Sequence, residues 1–160
     1  MRIGVPKEIK PQENRIGLTP DSVKTLVSEG HEVLVENNGG FEAGFDNDQY
    51  KNAGAKIIEK ATDIFNDAEI IVKVKEPQKV EVEMIKENQI VYTYLHLAAA
   101  KELTEGLVKS KSINIAYETI TDDNGRLPLL APMSAVAGRM SVQAGAHFLE
   151  KNQKGRGVLW

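Results

Sequence analysis

The sequence contains no cysteine. Disulfides, thiolate nucleophiles and cysteine-ligated metals are therefore outside its chemistry. It also lacks any apolar run near the ~20 residues that a bilayer-spanning helix requires. Its opening, MRIGVPKEIK, holds no apolar core of signal-peptide length. No membrane partner is expected, and the cytoplasm is the default location. Positive charge is not in excess: 20 Lys and Arg stand against 23 Asp and Glu, for a formal net charge of −3. A protein built to neutralise phosphates is ordinarily basic or carries a basic stripe. The densest local cluster, Lys7 to Lys10, is interrupted by Glu8, so nucleic acid is not an expected partner. Asp122-Asp123-Asn124 lacks the further ligands of a calcium loop, and no metal site is expected. No internal repeat or low-complexity tract stands out.

What remains is an ordinary globular composition. Over 160 residues, 41% are hydrophobic and 27% charged, enough for a domain with its own core. Short β-prone runs alternate with helical ones. Arg2 to Val5 reads as a first strand, closed by Pro6. Thr19-Pro20-Asp21 reads as a helix start, with a capping hydroxyl, a proline suited to the first turn and an acid at the positive end of the helix dipole. Gly30 reads as that helix's stop. Glu32 to Glu36 (EVLVE) alternates as a strand, and Asn37-Asn38-Gly39-Gly40 is a turn. Asp46 and Gln49 make a capping pair for a short helix. Further strands are expected at 55–58, 69–75, 89–94 and 113–120, and further helices at 61–68 and 97–108. A long helix over 132–150 is rich in small residues. Its Gly138 and Gly145 each disfavour helix by roughly 1 kcal/mol against alanine, which points to close packing against a neighbour. The alternation predicts an α/β fold, a mostly parallel sheet flanked by helices, with ligands at the C-terminal ends of the strands.

Three of those strand ends carry chemistry. Arg15 follows the first strand, Lys75 ends the run EIIVKVK, and His96 follows QIVYTY. Brought to one rim, an arginine, a lysine and a histidine make a site for a small carboxylate. The guanidinium takes a carboxylate with two parallel hydrogen bonds, the ammonium adds a point charge, and the imidazole moves a proton near neutral pH. Taken singly, each has an ordinary alternative. Arg15 lies in a polar loop where arginines are solvated. Lys75 is where exposed lysines end strands. His96, between two leucines, fits a hydrogen-bonded core histidine equally well. Ser134 near a helix start is most simply a cap. Gly155-Arg156-Gly157 resembles the beginning of a dinucleotide fingerprint but follows a helix instead of a strand.

Several segments together resemble one family. MRIGVPKEIKPQENRIGLTP is similar to the opening of the alanine dehydrogenase and transhydrogenase α-subunit family. VKVKEP (Val72 to Pro77), TYLHLA (Thr93 to Ala98), AYET (Ala116 to Thr119) and LLAPMSAVAGRM (Leu129 to Met140) resemble the alanine dehydrogenases more narrowly. The similarity runs in register over essentially the whole chain. It implies a Rossmann/flavodoxin-like substrate-binding domain over residues 1–130. It also implies a long interdomain helix over 131–160 that leads to an NAD-binding domain absent from this chain. It implies interconversion of L-alanine with pyruvate and ammonium, NAD as cofactor, and a homo-oligomer. By residue, it implies Arg15 and Lys75 on the substrate carboxylate and keto oxygen, His96 as acid/base, and Ser134 at the dinucleotide. A catalytic aspartate of the family lies beyond the matched part, so the expectation for the 160 residues alone is inactivity. Ala135 stands where relatives commonly have glutamate. Two alternatives are a transhydrogenase α-subunit, in which the histidine of TYLHLA is absent, and a non-catalytic truncated paralogue that binds a small carboxylate.

Overall fold

A computed structural model describes residues 1–159 and shows two compact units, Met1–Tyr117 and a second beginning at Glu118. In the first unit, six strands form one parallel sheet in the order β3-β2-β1-β4-β5-β6. The strands are β1 (Arg2–Val5), β2 (Glu32–Glu36), β3 (Lys56–Ile58), β4 (Ile70–Val72), β5 (Ile90–Thr93) and β6 (Ile113–Ala116). The chain winds outward on one side of β1, returns across it, and winds outward again from β4. The order reverses between β1 and β4, whose register pairs Ile3 with Ile70 and Gly4 with Ile71. Such a switch point leaves a crevice at the strand C-termini, because the connections on its two sides lead away in opposite directions.

The strands are short and nearly all apolar, as in a parallel sheet covered on both faces. Two cores result. Ile3, Val5, Val33, Val35 and Val72 pack with Val23 of α1 (Pro20–Ser28) and Tyr50 of α2 (Asn47–Asn52). Leu34, Ile71 and Val91 point to the other face. There they meet Ile64 and Phe65 of α3 (Ala61–Asp67) and Leu107 of α5 (Lys101–Ser110). One position needs glycine for proximity: a Cβ on Gly4 would lie 2.5 Å from Ile64 Cγ2 and 2.8 Å from Ala68 Cβ.

Local signals account for most helix starts. Thr19 Oγ1 accepts from the Ser22 amide at 3.3 Å. Asp46 and Gln49 cap each other's backbone, each at 2.8 Å. Gly30 lies beyond the end of α1 with φ +84°.

Three expected boundaries change. The run 69–75 is a strand only over Ile70–Val72. Lys73 still donates its amide to Tyr92 O, but the Val74 amide goes to the Glu8 carboxylate at 2.6 Å, so a side chain displaces the ladder. The run 113–120 is extended only to Ala116 and then turns into a 3₁₀ segment, Tyr117–Thr119. The helix expected over 97–108 is a 3₁₀ turn, Leu97–Ala99, followed by α5, with Ala100 between them at φ −133°, ψ 73°. A one-turn helix, α4 (Lys79–Val82), was not expected.

The second unit begins with a turn in which Asp122 Oδ1 accepts the amides of Asn124 (2.9 Å) and Arg126 (2.8 Å). It continues into α6 (Ala131–Leu149), the long terminal helix that the sequence predicts. No residue of α6 is buried. No helix among the described residues is long and apolar enough to cross a membrane.

Candidate active site

The site is built where the loops after β1, β4 and β5 meet, because these three strands are neighbours in the sheet. After β1 the chain runs Pro6-Lys7-Glu8 and loops out before Thr19 starts α1. A turn closes at Glu13, whose amide donates to Lys10 O at 3.1 Å, with Gln12 in the left-handed region. Beyond it, Arg15 forms a two-pronged pair with Glu13: Nε to Oε1 at 2.8 Å and Nη2 to Oε2 at 2.6 Å. This is the geometry with which a guanidinium recognises any carboxylate. The Arg15 hydrogen bonds hold the Glu13 carboxyl below the usual carboxylate range, against the upward push of burial, and the Lys75 charge adds to them. Gly17 brings the end of the loop back over β4. A Cβ there would lie 2.6 Å from Val72 O, so a larger residue would lift the Arg15 segment off the strand end.

After β4 come Lys73, Val74, Lys75, Glu76 and Pro77. Lys73 points inward and is fully buried. Its ammonium lies between Glu8 Oε2 (3.0 Å) and Glu81 Oε1 (2.8 Å). Burial raises the Glu81 carboxyl above its ordinary range in spite of that lysine. Lys75 emerges one residue past Val74. Its carbonyl accepts from Thr93 Oγ1 at 2.9 Å and its amide points to Glu8 Oε1 at 3.3 Å.

After β5 come Thr93, Tyr94, Leu95 and His96. His96, three residues past the end of β5, sits in the left-handed region at φ 51°, with its side chain facing the β4 loop. Its Nδ1 lies 3.5 Å from Glu76 Oε2. Glu76 Oε1 pairs with Lys10 from the β1 loop. Burial by itself would raise the Glu76 carboxyl, but the Lys10 hydrogen bond and the charges of Lys10 and His96 outweigh it and hold it low. Behind the histidine, Tyr94 packs edge-on against Tyr117, which packs in the same way against Tyr92.

Arg15, Lys75 and His96 thus lie on one rim. Arg15 and Lys75 share Glu13 as an electrostatic neighbour, and His96 faces Glu76, next to Lys75 in the chain. Ser134 is in the first turn of α6, in the second unit, where its Oγ donates to Leu130 O at 3.4 Å. Sequence reasoning does not single out Glu13, Glu76, Glu8, Thr93 or Lys73 as working parts. No signal in the sequence separates Lys73 from Lys75: alternation in VKVK would put both on one face, and the strand ends at Val72, before either. The partners of Lys73, 65 and 8 residues away, were not visible in that pattern.

A groove of about 900 Å³ runs between α4 and α5, lined by Pro77, Val82, Ile85, Leu103 and Gly106. It shares Glu76 with the rim and holds none of Arg15, Lys75 or His96, so it lies beside the chemistry and not in it.

The rim does not suit a dinucleotide. Where a doubly wound sheet would carry a glycine-rich turn after β1 to admit a pyrophosphate, this chain has Pro6-Lys7-Glu8. The other candidate, Gly155 to Gly157, caps α6. The Gly155 and Gly157 amides donate to Glu150 O (3.0 Å) and Leu149 O (2.8 Å), and are thereby unavailable to a phosphate.

Fold and rim define a class: a doubly wound parallel sheet whose switch-point loops carry carboxylate-recognising side chains in place of phosphate-cradling glycines. The chain belongs to the family described as alanine dehydrogenase/PNT, N-terminal domain, whose model matches residues 4–137. It is 52% identical over 159 residues to the alanine dehydrogenase of Staphylococcus epidermidis and 54% identical to that of Halomonas elongata. Each match covers 99% of this chain and 43% of the relative, so the chain spans less than half of their length. A solved L-alanine dehydrogenase matches with a TM-score of 0.89 and 54% identity, over 99% of this chain and 44% of that one. The transhydrogenase from Sinorhizobium meliloti is more distant, with a TM-score of 0.72 and 25% identity over 78% of this chain and 35% of that one.

Proposed function

We propose that this chain supplies the substrate-binding half of an NAD-dependent alanine dehydrogenase, which interconverts L-alanine, NAD and water with pyruvate, ammonium and NADH. The observation that supports this reading best is the meeting of Arg15, Lys75 and His96 at the ends of three neighbouring strands. In this reading residues 1–130 hold the substrate. Residues 131–160 connect toward a dinucleotide-binding part, and Ser134 offers that cofactor one hydroxyl. The protein works as a cytoplasmic homo-oligomer, and the 160 residues do not turn over alanine by themselves.

The part of the reaction that these residues carry is the exchange of oxygen for nitrogen at the keto carbon. Arg15 holds the carboxylate through its guanidinium fork, as it holds Glu13 here, and so orients the reacting carbon. Ammonia adds to that carbon and the carbonyl π electrons move to oxygen. Lys75 stabilises the negative charge that develops there. His96 protonates this oxygen, takes a proton from the added nitrogen and returns it to the hydroxyl, which departs as water to leave the iminium. In the direction of pyruvate formation the same groups run in reverse, with His96 relaying protons between water, hydroxyl and amine.

His96→Ala in an active enzyme carrying this chain is expected to lower kcat at least ~100-fold, the ordinary scale of general acid–base catalysis. Alanine turnover measured across pH checks it, and a near wild-type rate would remove His96 from the mechanism. A transhydrogenase α-subunit is the second reading, favoured only by the 25% match. Hydride transfer between two dinucleotides without any alanine dependence would select it.

A further inference from the structure

Lys75 lies past the end of β4, where the Tyr94 amide, donating to Val74 O at 3.3 Å, is a backbone bond between this segment and the chain after β5 that reaches beyond Lys73. We infer that Glu8 is a positioning residue for Lys75, acting with Thr93; the inference rests on the reading of Lys75 as a substrate-binding group.

Glu8 is a carboxylate turned inward from the β1 loop, 7% exposed. Oε1 accepts the Val74 amide at 2.6 Å and faces the Lys75 amide at 3.3 Å. Oε2 accepts from Lys73 Nζ at 3.0 Å. Thr93 Oγ1, fully buried on β5, takes the other side of the same residue by donating to Lys75 O at 2.9 Å. The Lys75 peptide is thus gripped at its N–H from β1 and at its C=O from β5, the strands that carry the two other rim residues. Lys73 fixes the grip. It is held between Glu8 and Glu81, and Glu81 Oε2 in turn accepts the Gln78 amide at 2.7 Å, tying down the far end of the segment.

A purely stabilising role explains this arrangement poorly. One buried lysine faces two buried carboxylates, and a buried ion cluster of this kind holds a fold together no better than apolar side chains of equal volume. What apolar residues cannot do is bond two successive amides at a strand end and fix where the next side chain leaves the backbone. The arrangement links the spacing of the three rim groups to the β1-β4-β5 order of the sheet itself.

The test is a double-mutant cycle on pyruvate affinity, read by NMR titration of this protein, with thermal melting of each variant alongside. Glu8→Gln keeps an oxygen for the Val74 and Lys75 amides but turns an NH₂ toward Lys73. It is expected to weaken pyruvate binding about tenfold with Lys75 present, within the range that a misplaced binding group loses. In the Lys75→Met background it is expected to change affinity less than about twofold, since coupled residues are non-additive. Thr93→Val, which keeps the shape and removes the hydroxyl, should show the same dependence on Lys75. It carries the test alone if Glu8→Gln does not fold. Equal losses in both backgrounds would reduce Glu8 and Thr93 to structural residues and overturn the inference while Lys75 kept its role. If Lys75→Met left pyruvate affinity at the wild-type value, the substrate-site reading itself would fall, and the inference with it.

Discussion

The strand-end rim of the first unit and helix α6 of the second are both dense in conspicuous residues, yet they satisfy them in opposite ways. At the rim, charges that would be costly to bury are paired internally: Lys73 with Glu8 and Glu81, Lys10 with Glu76, Arg15 with Glu13. Along α6 no residue is buried, and Val136, Met140, Val142 and Phe148 are all at least half exposed. A Cβ on Gly138 would meet nothing within 4 Å among the described residues. The rim carries its own partners in the chain. A self-contained site tolerates substitution badly and shows the damage in folding. An exposed helix that packs on a neighbour in the proposed homo-oligomer shows it in assembly.

The sharpest way to break the contrast is to remove the central cation. Lys73→Ala leaves Glu8 and Glu81 buried together without it, and is expected to cost about 3–5 kcal/mol of stability, the scale for removing one partner of a buried ion pair. The loss has a pH dependence. Burial already raises the Glu81 carboxyl, and losing Lys73 raises it further. A folded pKa above the unfolded one means that stability falls as pH rises through that window, so the deficit should be larger at pH 8 than at pH 5. Denaturant melts at both values check it. A variant as stable as wild type at pH 8 would show that the cluster is not held as described.

Arg15→Lys is the intermediate case. It keeps the charge and loses the fork, so pyruvate should bind on the order of tenfold more weakly, about 1.4 kcal/mol, with little change in melting. Unchanged affinity in the same titration would return Arg15 to the surface.

The smallest effect on the chain itself is expected from Gly138→Leu. The position has room for a side chain, and leucine is a better helix former than glycine by somewhat less than about 1 kcal/mol. Melting should hold or rise slightly while the mass by sedimentation falls from that of the proposed homo-oligomer. An unaltered mass would mean that no neighbour packs closely on that glycine.

The rim was partly legible because its three groups follow recognisable strands. QIVYTY and EIIVKVK announce strands by their β-branched and aromatic residues, and the residues just beyond the strands are where a parallel sheet places its ligands. The ends themselves were less legible. The strand expected to reach Lys75 stops at Val72 because a carboxylate 66 residues away in sequence takes the Val74 amide. A capping pair such as Asp46 and Gln49 is readable because both partners fall within one turn of helix. The pair Thr93 and Lys75 is not, because nothing local relates a threonine inside one strand to the carbonyl past the end of another.

The sequence by itself determined the parts whose causes are local: the capped starts of α1 and α2, the strand at Glu32–Glu36, the long terminal helix, and the class of fold that follows from strands alternating with helices. Only the tertiary structure decided that β1, β4 and β5 are neighbours, that Lys73 faces inward while Lys75 faces the rim, and that Glu8, Glu13 and Glu76 are the carboxylates that hold the cations in place. The physical reason is range. Propensity, capping and periodicity act over a turn of helix or a few residues of strand. Burying and pairing a charge depends on which distant segments the sheet order brings within ~3 Å of it.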